Sequence, residues 1–286
     1  QFANAFRCQP YLAKAVAFGR ALDQQKEEQA VALSLKSFPA RQSPLMPMLM
    51  HAALSQVAVP ARIITVITNL AGGTTERAVT QSGFATVPDA ICAHAQHQLS
   101  LIEHEGRFVD MDLACRAIAR FHALVRAISI ISESSGHSRW AIQSAQLVAH
   151  LSDRLAPRIQ RIEADVRQSL RPARASTGGY ESELLLEALN GLYLLTTVRE
   201  ARDSLGVNSA LETAWTQTGQ VLETLISRNL EAFKLQPDND IVARRLDASS
   251  NMARIRFNPE YADGISRAMQ TAARRADEPK IRSASL

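Results

Sequence analysis

The sequence predicts an all-α fold, a multi-helix bundle of long antiparallel helices without significant sheet. Aromatic residues make up only 5% of the 286 residues, while Ala and Leu are abundant, and this balance favours helices. A single run, IITVIT at residues 63–68, is typical of a strand. We assign it to a helix because its surroundings are helical and no partner strand is visible. Apolar residues recur every three or four positions in stretches joined by short turns, which indicates antiparallel packing.

The first half of the chain divides into helices at its prolines and glycines. One amphipathic helix is predicted over residues 10–35, and the three prolines in residues 37–47 end it. After a short apolar helix, another is expected to begin at Pro60 and to end at the Gly72–Gly73 pair. We interpret residues 83–90 as a loop whose Asp89 caps the next helix.

The second half begins with a helix at about residues 111–133, followed by a very long one. The long helix is predicted to bend near Pro157 and to bury one stripe, formed by Leu147, Leu151, Leu155, Ile159 and Ile162. Residues 171–180 (RPARASTGGY) are the linker candidate because they are small and polar and include a double glycine. The predicted division is therefore an N-terminal helical region, 1–170, and a C-terminal one, 181–286. One continuous domain is the alternative.

Charge and cysteine content point to a setting rather than to an activity. The net charge is +4 and the pI is near 9.2, but the basic residues form no block, so nucleic acid or acidic lipid is permitted without being indicated. The abundance of Arg and Ala is typical of a bacterial protein from a GC-rich genome. Three cysteines without a CxxC pair imply no disulfide framework, which favours the cytoplasm, although a removed signal peptide is an alternative. No membrane span is expected, since the longest uncharged run contains three prolines.

Residues 92–105 (CAHAQHQLSLIEHE) hold three of the seven histidines of the chain. On a helix, the core-facing stripe would consist of Ile91, Ala95, Leu99 and Ile102, and a separate face would carry His94, His97 and His104. His94 and His97 are spaced to chelate one metal ion, and haem is a related candidate cofactor. We favour the alternative of a polar, solvated face whose histidines titrate near 6.5. A pH-sensitive contact surface is the third interpretation.

Residues 196–219 (TTVREARDSLGVNSALETAWTQTG) resemble the DNA-binding helix-turn-helix family. Gly206 would make the turn, Val207 would pack into the angle, and Trp215 would be buried in the second helix. The family has a small residue where this chain has Arg202 and a β-branched apolar one at Glu212, so we expect these two side chains to be exposed or paired. The resemblance implies nucleic-acid contacts by Arg199, Arg202, Asn208, Ser209 and Thr213. A plain helical hairpin explains the same residues.

The sequence gives little support for catalysis. It contains no GxSxG, P-loop or Rossmann glycine pattern, and His122 is better explained as a structural residue than as a phosphotransfer site. Our leading hypothesis is a non-enzymatic helical scaffold, adaptor or regulator that acts through contacts with a protein partner or in a homo-oligomer. The alternatives are a nucleic-acid-associated regulator that uses the hairpin at 196–219 and a metal- or haem-binding bundle that uses His94 and His97.

Overall fold

The computed structural model describes residues 2–37, 45–102, 110–132, 138–171 and 180–283. Within these ranges the chain forms twelve α-helices and one short 3-10 helix at Arg202–Ser204, and no strand. The all-α prediction is confirmed. The helices are α1 (Phe2–Gln24), α2 (Glu28–Lys36), α3 (Met46–Leu54), α4 (Pro60–Ala71), α5 (Glu76–Gln81), α6 (Thr86–Ile102), α7 (Met111–Ser132), α8 (Arg139–Ser169), α9 (Tyr180–Glu200), α10 (Asn208–Leu235), α11 (Asp240–Arg256) and α12 (Pro259–Ser283).

The helices group into two compact units. The first unit comprises residues 1–152 with 203–206, and the second comprises 153–202 with 207–286. The division therefore falls inside α8. Most of the predicted linker, residues 172–179, lies outside the described residues, and the domain boundary at 171–180 stays a prediction.

The core of the first unit is built around α4, α6 and α7. In this unit α6 packs against α7 and α3, α4 packs against α7, and α1 packs against α3. The fully buried side chains at these contacts are large and apolar: Ile63, Ile64, Ile67, Ile91, Ile118, Phe121, Leu124 and Ile128. The helix predicted for residues 63–68 is confirmed as part of α4. It starts with Pro60 in its first turn and ends at Gly72, whose φ of 71° lies in the left-handed region.

Two element boundaries differ from the sequence prediction. The single helix expected at residues 10–35 is two helices, α1 and α2, because residues 24–29 are all exposed and bury nothing that would hold a continuous helix. The expected loop at 83–90 is also partly helical, since α6 already begins at Thr86. Asp89 is therefore not the N-cap of this helix.

Asp89 lies in the first turn of α6 and anchors the start of α8 instead. Its carboxylate accepts a hydrogen bond of 2.6 Å from the indole Nε1 of Trp140, which is fully buried, and one of 3.1 Å from Arg139. Arg139 also pairs with Glu76 at 3.1 Å. A carboxylate is favourable in the first turn of a helix, where the free backbone N–H groups leave a partial positive charge.

In the second unit, α10 packs against α11, α11 packs against α12, and α9 packs against α11.

The predicted buried stripe of α8 is confirmed for Leu151, Leu155, Ile159 and Ile162, which are all buried. It is wrong for Leu147, which is half-buried. Leu147 lies in the first half of α8, where the neighbouring positions are half-buried or exposed. The helix continues through Pro157, and the bend there stays a prediction.

The packing of α1 on α3 gives a sharp test of the fold. A Cβ added at Gly19 would lie 2.0 Å from the backbone oxygen of Ala53 in α3, whereas one added at Gly264 in α12 would meet nothing within 4 Å. We expect Gly19→Ala to lower the free energy of unfolding by roughly 1–3 kcal/mol or more, because two backbones must separate. Gly264→Ala should raise it by roughly 0.5–1 kcal/mol through helix propensity.

Urea unfolding followed by circular dichroism measures both changes. Gly264→Ala is the matched control, since the same methyl group is added inside a helix without a steric conflict. A Gly19→Ala chain as stable as the wild type would contradict the packing of α1 on α3.

Candidate functional site

The histidine helix α6 has the predicted core stripe but not the predicted polar face. Ile91, Ala95, Leu99 and Ile102 are each at most 6% exposed, so the stripe is confirmed. His97 is exposed as expected, but His94 is only 5% exposed, and its placement on a solvated face was wrong. The reason is that α3 packs against α6 as well and covers the side that carries His94. His104 lies outside the described residues.

His94 lies against a histidine that is distant in sequence. The ring centroids of His94 and His51, which belongs to α3, are 5.3 Å apart with the ring planes tilted by 59°. The Nδ1 atom of His94 is buried and has no hydrogen-bond partner among the described residues. Burial, which has the largest effect, and the nearby Arg120, His51 and His97 together lower the pKa of His94 to about 3. Both burial and His97 lower the pKa of His51. Both rings are therefore neutral at neutral pH.

Arg120 of α7 supplies the positive charge on this side of the histidine pair. Its guanidinium donates hydrogen bonds of 3.1 Å to the carbonyl oxygens of Leu54 and Ala58, at the end of α3 and just beyond it. Burial lowers the pKa of Arg120, while Asp23 raises it. Asp23 also accepts a 2.8 Å hydrogen bond from the Ala58 N–H. Protonation of His94 would therefore place a second cation in a buried site without a carboxylate of its own.

The metal hypothesis has no complete ligand set in the described part of the chain. No three His, Cys, Asp or Glu side chains there are arranged to hold a metal ion. His94 and His97 share α6, but one is buried and the other exposed. Metal or haem binding by His94, His97 and His104 therefore stays a prediction.

His122 and Cys92 also carry side chains that can take part in catalysis, and both are partly or fully enclosed by the fold. The Nδ1 atom of His122 lies 2.8 Å from the Ser204 hydroxyl, and burial and Arg126 lower its pKa, against the opposing effect of Asp203. The thiol of Cys92 is 1% exposed, and burial raises its pKa to about 12. A buried thiol with a raised pKa is a poor nucleophile at neutral pH.

The hairpin that resembles a helix-turn-helix has a different arrangement of charges from that family. The first helix, α9, ends at Glu200, and α10 begins at Asn208, with Val207 buried between them. Glu212 is 56% exposed and pairs with Arg199 at 3.3 Å, so the expectation that it is exposed or paired is confirmed. Arg202 is exposed, also as expected.

The indole of Trp215 is packed against cations. The Arg199 guanidinium lies 4.2 Å and the Arg256 guanidinium 3.5 Å from the centre of its ring. Trp215 is half-buried rather than buried, so that expectation was wrong. Two charged side chains therefore lie against the ring. Arg199 is therefore engaged within the hairpin, whereas the predicted contact residues on α10, which are Asn208, Ser209 and Thr213, are exposed. Nucleic-acid contact by these residues stays a prediction.

Sequence reasoning missed the most distinctive surface of the second unit, which we call the arginine cleft. It is an open cleft of about 520 Å³ between the end of α8, the middle of α10 and the start of α11. The lining residues are Arg167, Leu170, Arg171, Gln220, Val221, Thr224, Leu225, Arg228, Asn229, Ala232, Val242 and Arg245. Four of them are arginines, five are apolar, and none is acidic.

One face of α10 forms the long wall of the arginine cleft. Its seven lining residues recur at intervals of one, three or four from Gln220 to Ala232, the spacing of a single helix face. The twelve residue-to-residue steps from Gln220 to Ala232 extend over about 18 Å. Leu170 is fully buried at the floor, while Val221, Leu225 and Val242 remain half-buried.

The arginines lie around this apolar floor. Arg171 and Arg228 are exposed, and Arg245 is half-buried. Arg167 is held by Glu163, one turn earlier on α8, whose Oε1 accepts a 2.8 Å hydrogen bond from its Nε. The arrangement can therefore bind a ligand that offers both negative charge and apolar surface.

The residues that form the cleft come from stretches that are far apart in the sequence. Arg167 and Arg171 are four residues apart on one helix, and Arg228 and Arg245 come more than fifty residues later. Helical spacing predicts that Gln220, Thr224 and Arg228 share a face. Only the tertiary structure brings that face to the end of α8.

Comparisons with known proteins assign the chain to no family. No protein-family model matches the sequence, and no curated protein matches it either. A solved structure from "Computational Design of Self-Assembling Cyclic Protein Homooligomers" is 14% identical, with 95% of both chains covered and a TM-score of 0.24. Such a low TM-score supports no argument about fold or function.

Among the described helices, none is both long enough and apolar enough to cross a membrane.

The buried His94 predicts acid-sensitive stability. Its pKa is about 3 in the folded chain and about 6.5 when unfolded, so the unfolded state binds more protons between these values. Stability should therefore fall as the pH falls below 6.5, by about 2 kcal/mol from this residue alone at pH 5. Urea unfolding at pH 7 and pH 5 measures the loss, which His94→Gln should reduce.

His97→Gln is the matched control, because His97 lies one turn along the same helix and is exposed. Its dependence of stability on pH should follow that of the wild type. Identical slopes for His94→Gln and His97→Gln would show that His94 does not titrate as a buried group.

Proposed function

We propose that this chain is a non-enzymatic helical adaptor whose arginine cleft binds an acidic, amphipathic helical segment of a protein partner. The observation that carries the proposal is the convergence of four arginines around an apolar floor along three turns of α10. The composition, rich in Arg and Ala with an odd number of cysteines, supports a bacterial cytoplasmic setting for such an adaptor.

The chemistry of the lining favours carboxylates over other polar groups. A guanidinium presents a planar fork of N–H donors that matches both oxygens of a carboxylate. Val221, Leu225 and Val242, which are only half-buried, offer apolar surface that an occupant would remove from water. A helix with acidic and apolar residues on one face satisfies both requirements, as in other helix-in-groove complexes.

Nucleic acid fits the same lining less well. The lining of the cleft contains no aromatic residue on which a base could stack. A phosphate backbone would satisfy the arginines, but it would leave the apolar floor without a partner. Catalysis is disfavoured as well, because the lining contains no His, Cys, Lys, Asp or Glu to act as an acid, base or nucleophile.

Peptide binding tests the proposal. The probe is a fluorescein-labelled synthetic helix-forming peptide with Leu at positions i, i+4 and i+7 and Glu on either side of them, followed by fluorescence anisotropy. We expect Arg228→Glu to weaken binding at least about tenfold, or about 1.4 kcal/mol, because it replaces an attraction with a repulsion. Leu225→Ser should weaken binding through the floor without a change in charge.

Arg244→Glu is the matched control, since Arg244 is exposed on α11 next to Arg245 but does not line the cleft. It makes the same change in net charge and should leave the affinity nearly unchanged. Equal losses for Arg244→Glu and Arg228→Glu, or equal binding of a scrambled peptide of the same composition, would contradict a specific site. Tighter binding of a DNA oligonucleotide with the same dependence on Arg228 would favour the nucleic-acid alternative.

A further inference from the structure

Helix α9 exposes large apolar side chains on one side. Leu186 is 57% exposed and Tyr193 is 51% exposed. They are seven residues apart, so they lie two turns from each other on the same face of the helix. Together they present two large apolar side chains that a partner surface could remove from water.

The same face of α9 is acidic. Glu183 and Glu187 are exposed, and at 100° per residue they lie within about 100° of Leu186 around the helix. The sequence has no Lys or Arg from residue 180 to residue 198. We call the surface formed by Glu183, Leu186, Glu187, Asn190 and Tyr193 the acidic face of α9.

The acidic face of α9 and the arginine cleft are complementary in charge, polarity and length. The face joins carboxylates to exposed apolar side chains, and the cleft joins guanidinium groups to a half-buried apolar floor. From residue 183 to residue 193 the face extends over about 15 Å, and the wall formed by α10 over about 18 Å. The two surfaces share no residue, and every residue of the acidic face except the half-buried Asn190 is exposed within its own copy.

We propose that the acidic face of α9 of a second copy of this chain occupies the arginine cleft. This inference rests on the proposed function of the cleft and names its partner. Because each copy would contribute the face to one neighbour and the cleft to another, the contact is heterologous. Such contacts generate closed rings or open chains of copies rather than two-fold symmetric dimers.

Complementary single variants of the full chain test this contact by sedimentation velocity over a range of concentrations. Glu187→Arg changes the face and leaves the cleft intact, whereas Arg228→Glu changes the cleft and leaves the face intact. Each variant alone should associate at least about tenfold more weakly than the wild type. An equimolar mixture should form a dimer and stop there, because only one intact face and one intact cleft can meet.

Two exposed positions on α11 outside the cleft provide matched controls. Asp247→Arg repeats the charge change of Glu187→Arg, and Arg244→Glu repeats that of Arg228→Glu. Both control chains should associate like the wild type. Tyr193→Ser, which changes no charge, should weaken association as well. Far-UV circular dichroism identifies any variant that has lost its helical fold, and such a variant is replaced by Glu187→Gln or Arg228→Gln.

The outcomes separate this inference from the proposed function. A wild-type chain that stays monomeric but binds the acidic peptide overturns the second-copy contact and leaves the adaptor proposal standing. Association that Glu187→Arg weakens but Arg228→Glu does not would assign the acidic face to a different surface and overturn the contact. If neither the peptide nor a second copy binds, both proposals are wrong.

Discussion

The Arg256 guanidinium joins the end of α11 to α10, and the arginine cleft depends on the packing of these two helices because both line it. Arg256 is only 8% exposed and lies 3.5 Å from the centre of the Trp215 ring. It donates a 2.6 Å hydrogen bond to the Trp215 carbonyl oxygen. A Cβ at position 219 would lie 2.8 Å from its Nη2 atom, so a larger residue there would require the guanidinium to shift.

Arg256 keeps its charge despite this burial. Burial lowers its pKa to about 10, with a further contribution from Arg199 and an opposing one from Glu223, so it remains a cation at neutral pH. The electron-rich face of the indole offsets part of the cost of removing the charge from water. His94 in the first unit shows the other solution, since a buried imidazole avoids the same cost by remaining neutral. The interior therefore holds Arg256 as a charged group and His94 as a neutral one.

Features of this fold that are determined by residues close together in the sequence could be predicted. Features that depend on residues far apart in the sequence could not. The ends of α4 and the core stripe of α6 follow from nearby residues, Pro60, Gly72 and a helical repeat, and both were predicted. The burial of His94 depends on α3, which lies some forty residues earlier, and the role of Asp89 depends on Trp140. The hairpin formed by α9 and α10 has features of both kinds. Gly206 and Val207 produce its local resemblance to a helix-turn-helix. Arg256, which packs on Trp215, belongs to α11, so no pattern within the hairpin sequence could predict that contact.

The arginine cleft gathers four arginines without an acidic residue among its lining residues. Several arginines elsewhere on the described surface have a carboxylate beside them, as in the pairs Arg116–Asp112, Arg139–Glu76 and Arg254–Asp263. In the cleft, Glu163 holds Arg167 from outside the lining, and the twelve lining residues include no acid. Like charges gathered around one opening repel each other, and that repulsion is relieved when an anionic partner binds. In the proposed complex, a carboxylate-bearing helix would supply both negative charge for the arginines and an apolar surface for the floor of the cleft.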